Sequence, residues 1–131
     1  MTEKKKKIIL VEDDLAIVDI YTTLMKKAGF DVKVINLGQE VINMVKNIEE
    51  GSESKPDIIL LDLILPDVSG IEVFKEIKKG KKTKDIKVFI LTNQKEVQPQ
   101  ELGDAKPDRF ITKADITPTQ LLEVIKELWI K

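Results

Sequence analysis

The sequence predicts an α/β domain: a doubly wound parallel sheet of five strands with helices on both faces. Short apolar runs at residues 8–11, 58–61, 87–91 and 109–112, with an alternating one at 31–36, are too short for buried helices and suit strands. Amphipathic stretches of helical period lie between them, and a helix in each crossover requires the strands to be parallel. Most of these runs also end on a polar side chain, and open α/β sheets place their ligands outside the carboxyl ends of their strands.

The central strand is residues 58–61, Ile-Ile-Leu-Leu, entered through Pro56-Asp57 and without a polar break, so both of its faces must be covered. It stops on Asp62, a carboxylate that needs positive company if it is buried. The first strand, residues 8–11, follows the basic stretch Lys4 to Lys7, and residues 1–7 are expected to be an exposed tail. It stops on Glu12, Asp13 and Asp14. Leu15, Ile17, Val18, Tyr21, Leu24, Met25 and Ala28 then recur at helical spacing as expected core, with Gly29 as the stop. Residues 31–36 alternate around Val32 and Val34, as a strand near the sheet edge does. Residues 39–50 form a weaker amphipathic helix on Val41, Ile42, Val45 and Ile48, closed by Gly51.

After the central strand and the loop Pro66-Asp67-Val68-Ser69-Gly70 comes a helix over residues 71–79. A fourth strand then ends on the hydroxyl of Thr92, and a fifth ends on Lys113. Pro118 suits the first turn of a last helix capped by Asp115 or Thr117, with Leu121, Leu122, Val124, Ile125, Leu128 and Trp129 on its apolar face. Between Thr92 and Phe110, Pro99 and Gly103 forbid a long helix and leave a short one near Pro99 or an irregular segment.

A chain of 131 residues holds one core and not two, so a single unit is expected over residues 1–131. Twenty-two basic residues against 23 acidic ones leave a formal charge of −1, which gives no overall reason for a polyanion or membrane partner. The absence of cysteine excludes disulfides, zinc thiolates and a thiol nucleophile, and the absence of histidine excludes an imidazole base. Chemistry must therefore run on carboxylates, hydroxyls and lysines. No apolar run approaches the roughly 18 residues of a membrane span, and no signal peptide is evident, so a cytoplasmic location is expected with neither nucleic acid nor membrane as direct partner.

In the flavodoxin-like strand order 2-1-3-4-5, the ends of the first, third, fourth and fifth strands are neighbours. Glu12, Asp13, Asp62, Thr92 and Lys113 then converge above one edge of the sheet. The three carboxylates offer the hard oxygens that Mg²⁺ prefers, and without a cation they would repel one another and push an acid toward protonation. A metal held this way usually serves phosphate.

Residues 9–14 (Ile-Leu-Val-Glu-Asp-Asp), 56–62 (Pro-Asp-Ile-Ile-Leu-Leu-Asp), Leu65-Pro66 with Gly70, Leu91-Thr92 and 110–113 (Phe-Ile-Thr-Lys) occur in one order and spacing. Through them the sequence resembles, over nearly its whole length, the response regulator receiver domain of two-component signalling. The resemblance implies that Asp62 is the phosphoacceptor for a histidine kinase or phosphotransfer protein. It implies that Glu12, Asp13, Asp62 and the main-chain carbonyl of Ile64 hold Mg²⁺, and that Thr92 and Lys113 bind the phosphoryl oxygens. Asp14 is then a helix cap. In-line attack by Asp62 forms an acyl phosphate while the cation and the Lys113 ammonium neutralise the equatorial oxygens. The added charge draws in Thr92 and vacates space into which Phe110 turns, a two-state switch near the fourth and fifth strands. The expectation is a single-domain regulator, a signalling phosphoacceptor and not an enzyme, because it catalyses only its own phosphorylation and dephosphorylation. It would act through an unknown downstream protein as a monomer or a weak phosphorylation-dependent dimer.

Some residues depart from the family pattern. Ala114 stands where a cis proline is usual, Asn93 where a smaller residue is usual, and Phe110 where tyrosine is commoner, while Pro99 alters the helix that commonly forms the dimer face. Ile64 and Gln94 flank the path of the hydrolytic water, and the apolar Ile64 side chain predicts slow autodephosphorylation. Two other classes compete. A docking module that keeps the fold as a scaffold would be expected to have lost an acid or the lysine, and neither is lost. An aspartate-nucleophile phosphatase would want a second acid two residues after Asp62, where Ile64 stands; and Gly80-Lys81-Lys82-Thr83 lacks the upstream glycine of a P-loop.

Overall fold

The apolar runs become the strands of one sheet. The computed structural model describes residues 5–93 and 99–129, which follow the order β1 (Lys7–Val11), α1 (Leu15–Lys27), β2 (Asp31–Ile35), α2 (Gly38–Glu50), β3 (Ile58–Asp62), α3 (Gly70–Lys79), β4 (Lys87–Thr92), β5 (Arg109–Thr112) and α4 (Pro118–Glu127). Every strand pair is parallel and the spatial order is β2-β1-β3-β4-β5, the expected doubly wound topology.

Successive strand residues point to opposite faces, and each face has its own helices. Ile9, Val11, Ile59, Leu61, Val88 and Ile90 pack with buried residues of α2 and α3, among them Val41, Ile48, Phe74 and Ile77. Ile8, Leu10, Ile58, Leu60, Phe89 and Leu91 pack with Tyr21 and Met25 of α1 and Leu121, Leu122 and Ile125 of α4. All of β3 is buried, which is why its sequence shows no alternation, whereas the edge strand β2 buries only Ile35.

The structure corrects several expectations. Lys7 belongs to β1 and not to a tail: its N–H donates to Asp57 Oδ2 at 2.7 Å, and its carbonyl accepts the Asp57 N–H at 2.9 Å. The Lys6 carbonyl likewise accepts the Asp31 N–H at 2.9 Å, and the Lys6 ammonium lies 5.5 Å from the Trp129 ring centroid. Backbone pairing with the neighbouring strands, and not the polarity of the side chains, sets where β1 begins. Leu15, expected in the core, is 82% exposed. It is the first residue of α1 and precedes the part of that helix covering the sheet, where Tyr21 and Met25 are buried.

Thr117, not Asp115, caps α4. Its Oγ1 accepts the Gln120 N–H at 3.1 Å while Gln120 Oε1 accepts the Thr117 N–H at 2.8 Å, a reciprocal capping box. At Pro99–Leu102 a single 3₁₀ turn forms, with Leu102 buried on the face of α2 and α3. Gln94 lies outside the described residues. Among the described residues no helix is long and apolar enough to cross a membrane.

Candidate functional site

Sheet register brings the polar strand ends together. Val11 lies opposite Leu61, Asp62 opposite Leu91, and Thr92 opposite Thr112, so Glu12, Asp62, Thr92 and Lys113 stand at adjacent positions along the carboxyl edge. Glu12 prolongs the ladder, its N–H donating to the Ile35 carbonyl at 3.1 Å.

Lys113 joins two of the acids. Its Nζ donates to Asp62 Oδ2 at 3.1 Å and makes a hydrogen-bonded ion pair with Glu12 Oε1. Glu12 and Asp62 are 2% and 7% exposed, so each would pay a desolvation penalty of about several kcal/mol if left unpaired. Burial pushes the Glu12 carboxyl above the usual carboxylate range, an effect that the bond from Lys113 only partly offsets. For Lys113 burial works against the charge, but the bond to Glu12 and the charge of Asp62 outweigh it and hold the ammonium above the ordinary lysine value. Burial also raises the Tyr21 phenol, which feels the opposing charges of Lys113 and Glu12. By its spacing alone Tyr21 is a core residue of α1. Its helical spacing marks a core position and gives no sign of those two charges.

Backbone amides fix the carboxylates. Glu12 Oε2 accepts the N–H groups of Asp13 and Asp14, each at 3.2 Å, and Asp62 Oδ1 accepts that of Ile64 at 3.1 Å. Asp13 is exposed, and carboxylate oxygens of Glu12, Asp13 and Asp62 all lie within 4.8 Å of one another. Three hard oxygen donors open on one side suit a small divalent cation that keeps part of its water, so these residues fit Mg²⁺. Asp14 stands apart as the cap of α1, accepting from Ala16 at 3.0 Å and Ile17 at 3.2 Å.

The loop after β3 is pinned at two places. The Gly70 N–H donates to the Leu63 carbonyl at 2.9 Å, and a Cβ at Gly70 would lie 2.4 Å from both the Asp62 carbonyl oxygen and Leu63 Cα. Only glycine lets α3 start so close to the backbone that carries Asp62. Asp67 caps α2 from a distance, accepting the N–H groups of Gly38 at 2.8 Å and Gln39 at 2.9 Å. The Gln39 amide foremost, then that of Gly38, holds the Asp67 carboxyl below its ordinary value. The signal for this cap was indirect: α2 starts after Leu37, which offers no side-chain acceptor.

Thr92 is buried at the end of β4. Phe110 lies opposite Ile90 and is half-buried against the core of the α2 and α3 face. Ile64 keeps its side chain exposed. Asn93 and Ala114, both departures from the family pattern, meet: Asn93 Oδ1 accepts the Ala114 N–H at 3.0 Å. The Lys113–Ala114 peptide is trans, and no cis peptide occurs among the described residues.

A doubly wound sheet whose carboxyl edge carries buried acids bridged by a lysine, with a third acid beside them, defines a narrow class of α/β proteins. Within it the chain belongs to the response regulator receiver domain family, whose model matches residues 8–126. It is a receiver domain of two-component signal transduction, as the motif resemblance implied. The DNA-binding dual master transcriptional regulator RpaA of Synechocystis sp. is 32% identical over 108 residues, covering 82% of this chain and 42% of RpaA. The DNA-binding response regulator MtrA of Mycobacterium tuberculosis is 28% identical over 114 residues, covering 86% of this chain and 46% of MtrA. The chain thus spans less than half the length of these curated relatives.

Among solved structures, the phosphorylated cyanobacterial phytochrome response regulator RcpA superposes with a TM-score of 0.77 at 30% identity, covering 95% of this chain and 91% of RcpA. The Mn(2+)-bound form of response regulator Rcp1 superposes with a TM-score of 0.79 at 26% identity, covering 96% of this chain and 95% of Rcp1.

Proposed function

We propose that the domain accepts a phosphoryl group on Asp62 from a histidine kinase or phosphotransfer protein in the cytoplasm and signals to a downstream protein through a change around Thr92 and Phe110. One observation carries this reading: a buried carboxylate at the end of β3 bonds to Lys113 at 3.1 Å and shares a 4.8 Å cluster of oxygens with Glu12 and Asp13. Glu12, Asp13 and Asp62, with the Ile64 main-chain carbonyl, would hold Mg²⁺, which when bound supplies neutralising charge for the phosphoryl oxygens.

The remaining work falls to side chains of the chain. The Ile64 N–H restrains one Asp62 oxygen, which limits the rotation of the nucleophile and orients it. As Asp62 attacks, a bond forms between its oxygen and phosphorus while the donor's P–N bond breaks. The departing imidazole nitrogen keeps the electron pair and takes a proton from solvent. The Lys113 ammonium neutralises charge growing on the equatorial oxygens. The Thr92 hydroxyl then binds a phosphoryl oxygen, and Phe110, already half-buried, turns inward. RcpA, crystallised phosphorylated, and Rcp1, crystallised with Mn²⁺, support the reading as relatives at 30% and 26% identity.

Incubation with acetyl phosphate and Mg²⁺ tests it. The expected product is one base-labile phosphoryl adduct by intact mass, absent in Asp62→Asn. A phosphorylation-independent docking module would give no adduct, and a phosphatase would give sustained turnover of phosphoesters; either result refutes the proposal.

A further inference from the structure

We propose that Asn93 is a positioning residue for Lys113: its hydrogen bond to the Ala114 N–H sets the turn that aims the Lys113 ammonium at Asp62 and ties that turn to the strand end bearing Thr92. The inference rests on the phosphoacceptor reading of the same site.

Lys113 opens a 3₁₀ turn, Lys113–Asp115, that is poorly held from within. Thr112, the residue before it, offers no side-chain cap, and the Ile116 N–H reaches the Lys113 carbonyl only at 3.4 Å. The N–H groups at the start of such a turn need an acceptor from elsewhere. Asn93 Oδ1 supplies one at 3.0 Å, from a residue 21 positions earlier on the neighbouring strand end. A proline at residue 114 would have no N–H to donate, so the asparagine and the alanine answer each other chemically.

The consequence for Lys113 is one of leverage. Its ammonium sits at the end of a flexible four-carbon stem and must reach Asp62 Oδ2 at 3.1 Å and Glu12 Oε1 together. A small rotation of the Lys113 backbone is magnified along that stem, and the Asn93 bond to the very next amide resists it. Asn93 also directly follows Thr92, so a displacement of Thr92 is transmitted through one side chain to the turn of Lys113. Because Asn93 is exposed, replacing it opens no cavity.

The test uses the full chain and measures the phosphorylation rate constant from acetyl phosphate at saturating Mg²⁺. Asn93→Ala is expected to slow it about fivefold, roughly the factor carried by one neutral hydrogen bond. Affinity for Mn²⁺ should stay within about twofold and the melting temperature nearly unchanged, since Glu12, Asp13 and Asp62 are untouched. In an Ala114→Pro background, which already lacks the donor, adding Asn93→Ala is expected to have no further effect. Asn93→Asp, which can still accept the Ala114 N–H, should recover most of the rate at high salt, where its added charge is screened.

An Asn93→Ala rate equal to that of wild type overturns the positioning role. So does the same slowing in the Ala114→Pro background, or a joint fall in rate, Mn²⁺ affinity and melting temperature. Wild-type protein that takes no phosphoryl group at all overturns the phosphoacceptor reading and this inference with it. A phosphorylated wild type with an unaffected Asn93→Ala variant refutes the inference alone.

Discussion

Gly70→Ala sets two effects against each other. Replacing glycine by alanine in a helix ordinarily gains about 1 kcal/mol, and Gly70 is the first residue of α3. The new Cβ, however, would lie 2.4 Å from the Asp62 carbonyl oxygen and from Leu63 Cα, and 2.9 Å from the Leu63 carbonyl carbon. Ordinary contacts between such atoms fall near 3.5–4.0 Å, so something must move by about 1 Å. All three atoms are backbone and cannot rotate aside, which places the cost at the upper end for overpacking, about 3 kcal/mol. The net loss is then about 2 kcal/mol, or about 8 °C in melting temperature for a domain of this size. Urea unfolding followed by circular dichroism measures it directly. Gly29→Ala is the control: Gly29 has φ of +95° with nothing within 4 Å of a Cβ, so only the left-handed backbone is penalised, at about 1 kcal/mol. Because the strain at Gly70 falls on the backbone of Asp62, phosphorylation should slow as well. A Gly70→Ala protein as stable as wild type or more so would show that helix propensity dominates and that the close approach is not a constraint.

Lys113→Met leaves Glu12 and Asp62 buried without their counter-charge; it should cost about 3 kcal/mol at neutral pH without divalent ions, and saturating Mg²⁺ should recover much of the loss, both read by chemical denaturation. The Lys113 pKa is raised above 10.5 on folding, so its contribution is fully present below that value and lost as the pH rises through the folded pKa. The stability difference between wild type and Lys113→Met should therefore shrink in strongly alkaline buffer, and a constant difference would contradict the ion pair. Asp67→Ala should lower the melting temperature at neutral pH by uncapping α2. The Asp67 pKa is depressed below 3.8, so this difference should persist down to that region and vanish as the pH falls through the folded value.

The features legible in the sequence were those written by near neighbours. Period and length gave the strands, the unbroken run at 58–61 gave the doubly covered centre, and the polar residue closing each run marked the edge where Glu12, Asp62, Thr92 and Lys113 meet. Asp14 and the Thr117 cap also lay within three residues of the amides they serve. What escaped was backbone satisfied across the fold. Lys7 enters β1 because Asp57 accepts its amide, Asp108 accepts the Val88 N–H at 2.8 Å, and Glu49 accepts those of Lys82 at 2.8 Å and Thr83 at 2.9 Å. Such acids, two in loops and Glu49 in the last turn of α2, look like ordinary surface charges until the chain is folded. The bond between Asn93 and Ala114 escaped for the same reason, although both residues stood out individually. Leu15 was misplaced because a periodic pattern fixes a helix face without fixing where along the axis its neighbour begins.

The two outer strands bear on how such molecules stick together. An unpaired flank of a sheet invites another chain to extend it, which is a common route to fibrils. β2 presents the exposed charges Asp31 and Lys33, and β5 is four residues long and opens on exposed Arg109, whose guanidinium is 3.8 Å from Glu127. Both rims are thus poor templates for strand addition, which disfavours self-association by sheet continuation and leaves helix-covered surfaces for ordered contacts between molecules.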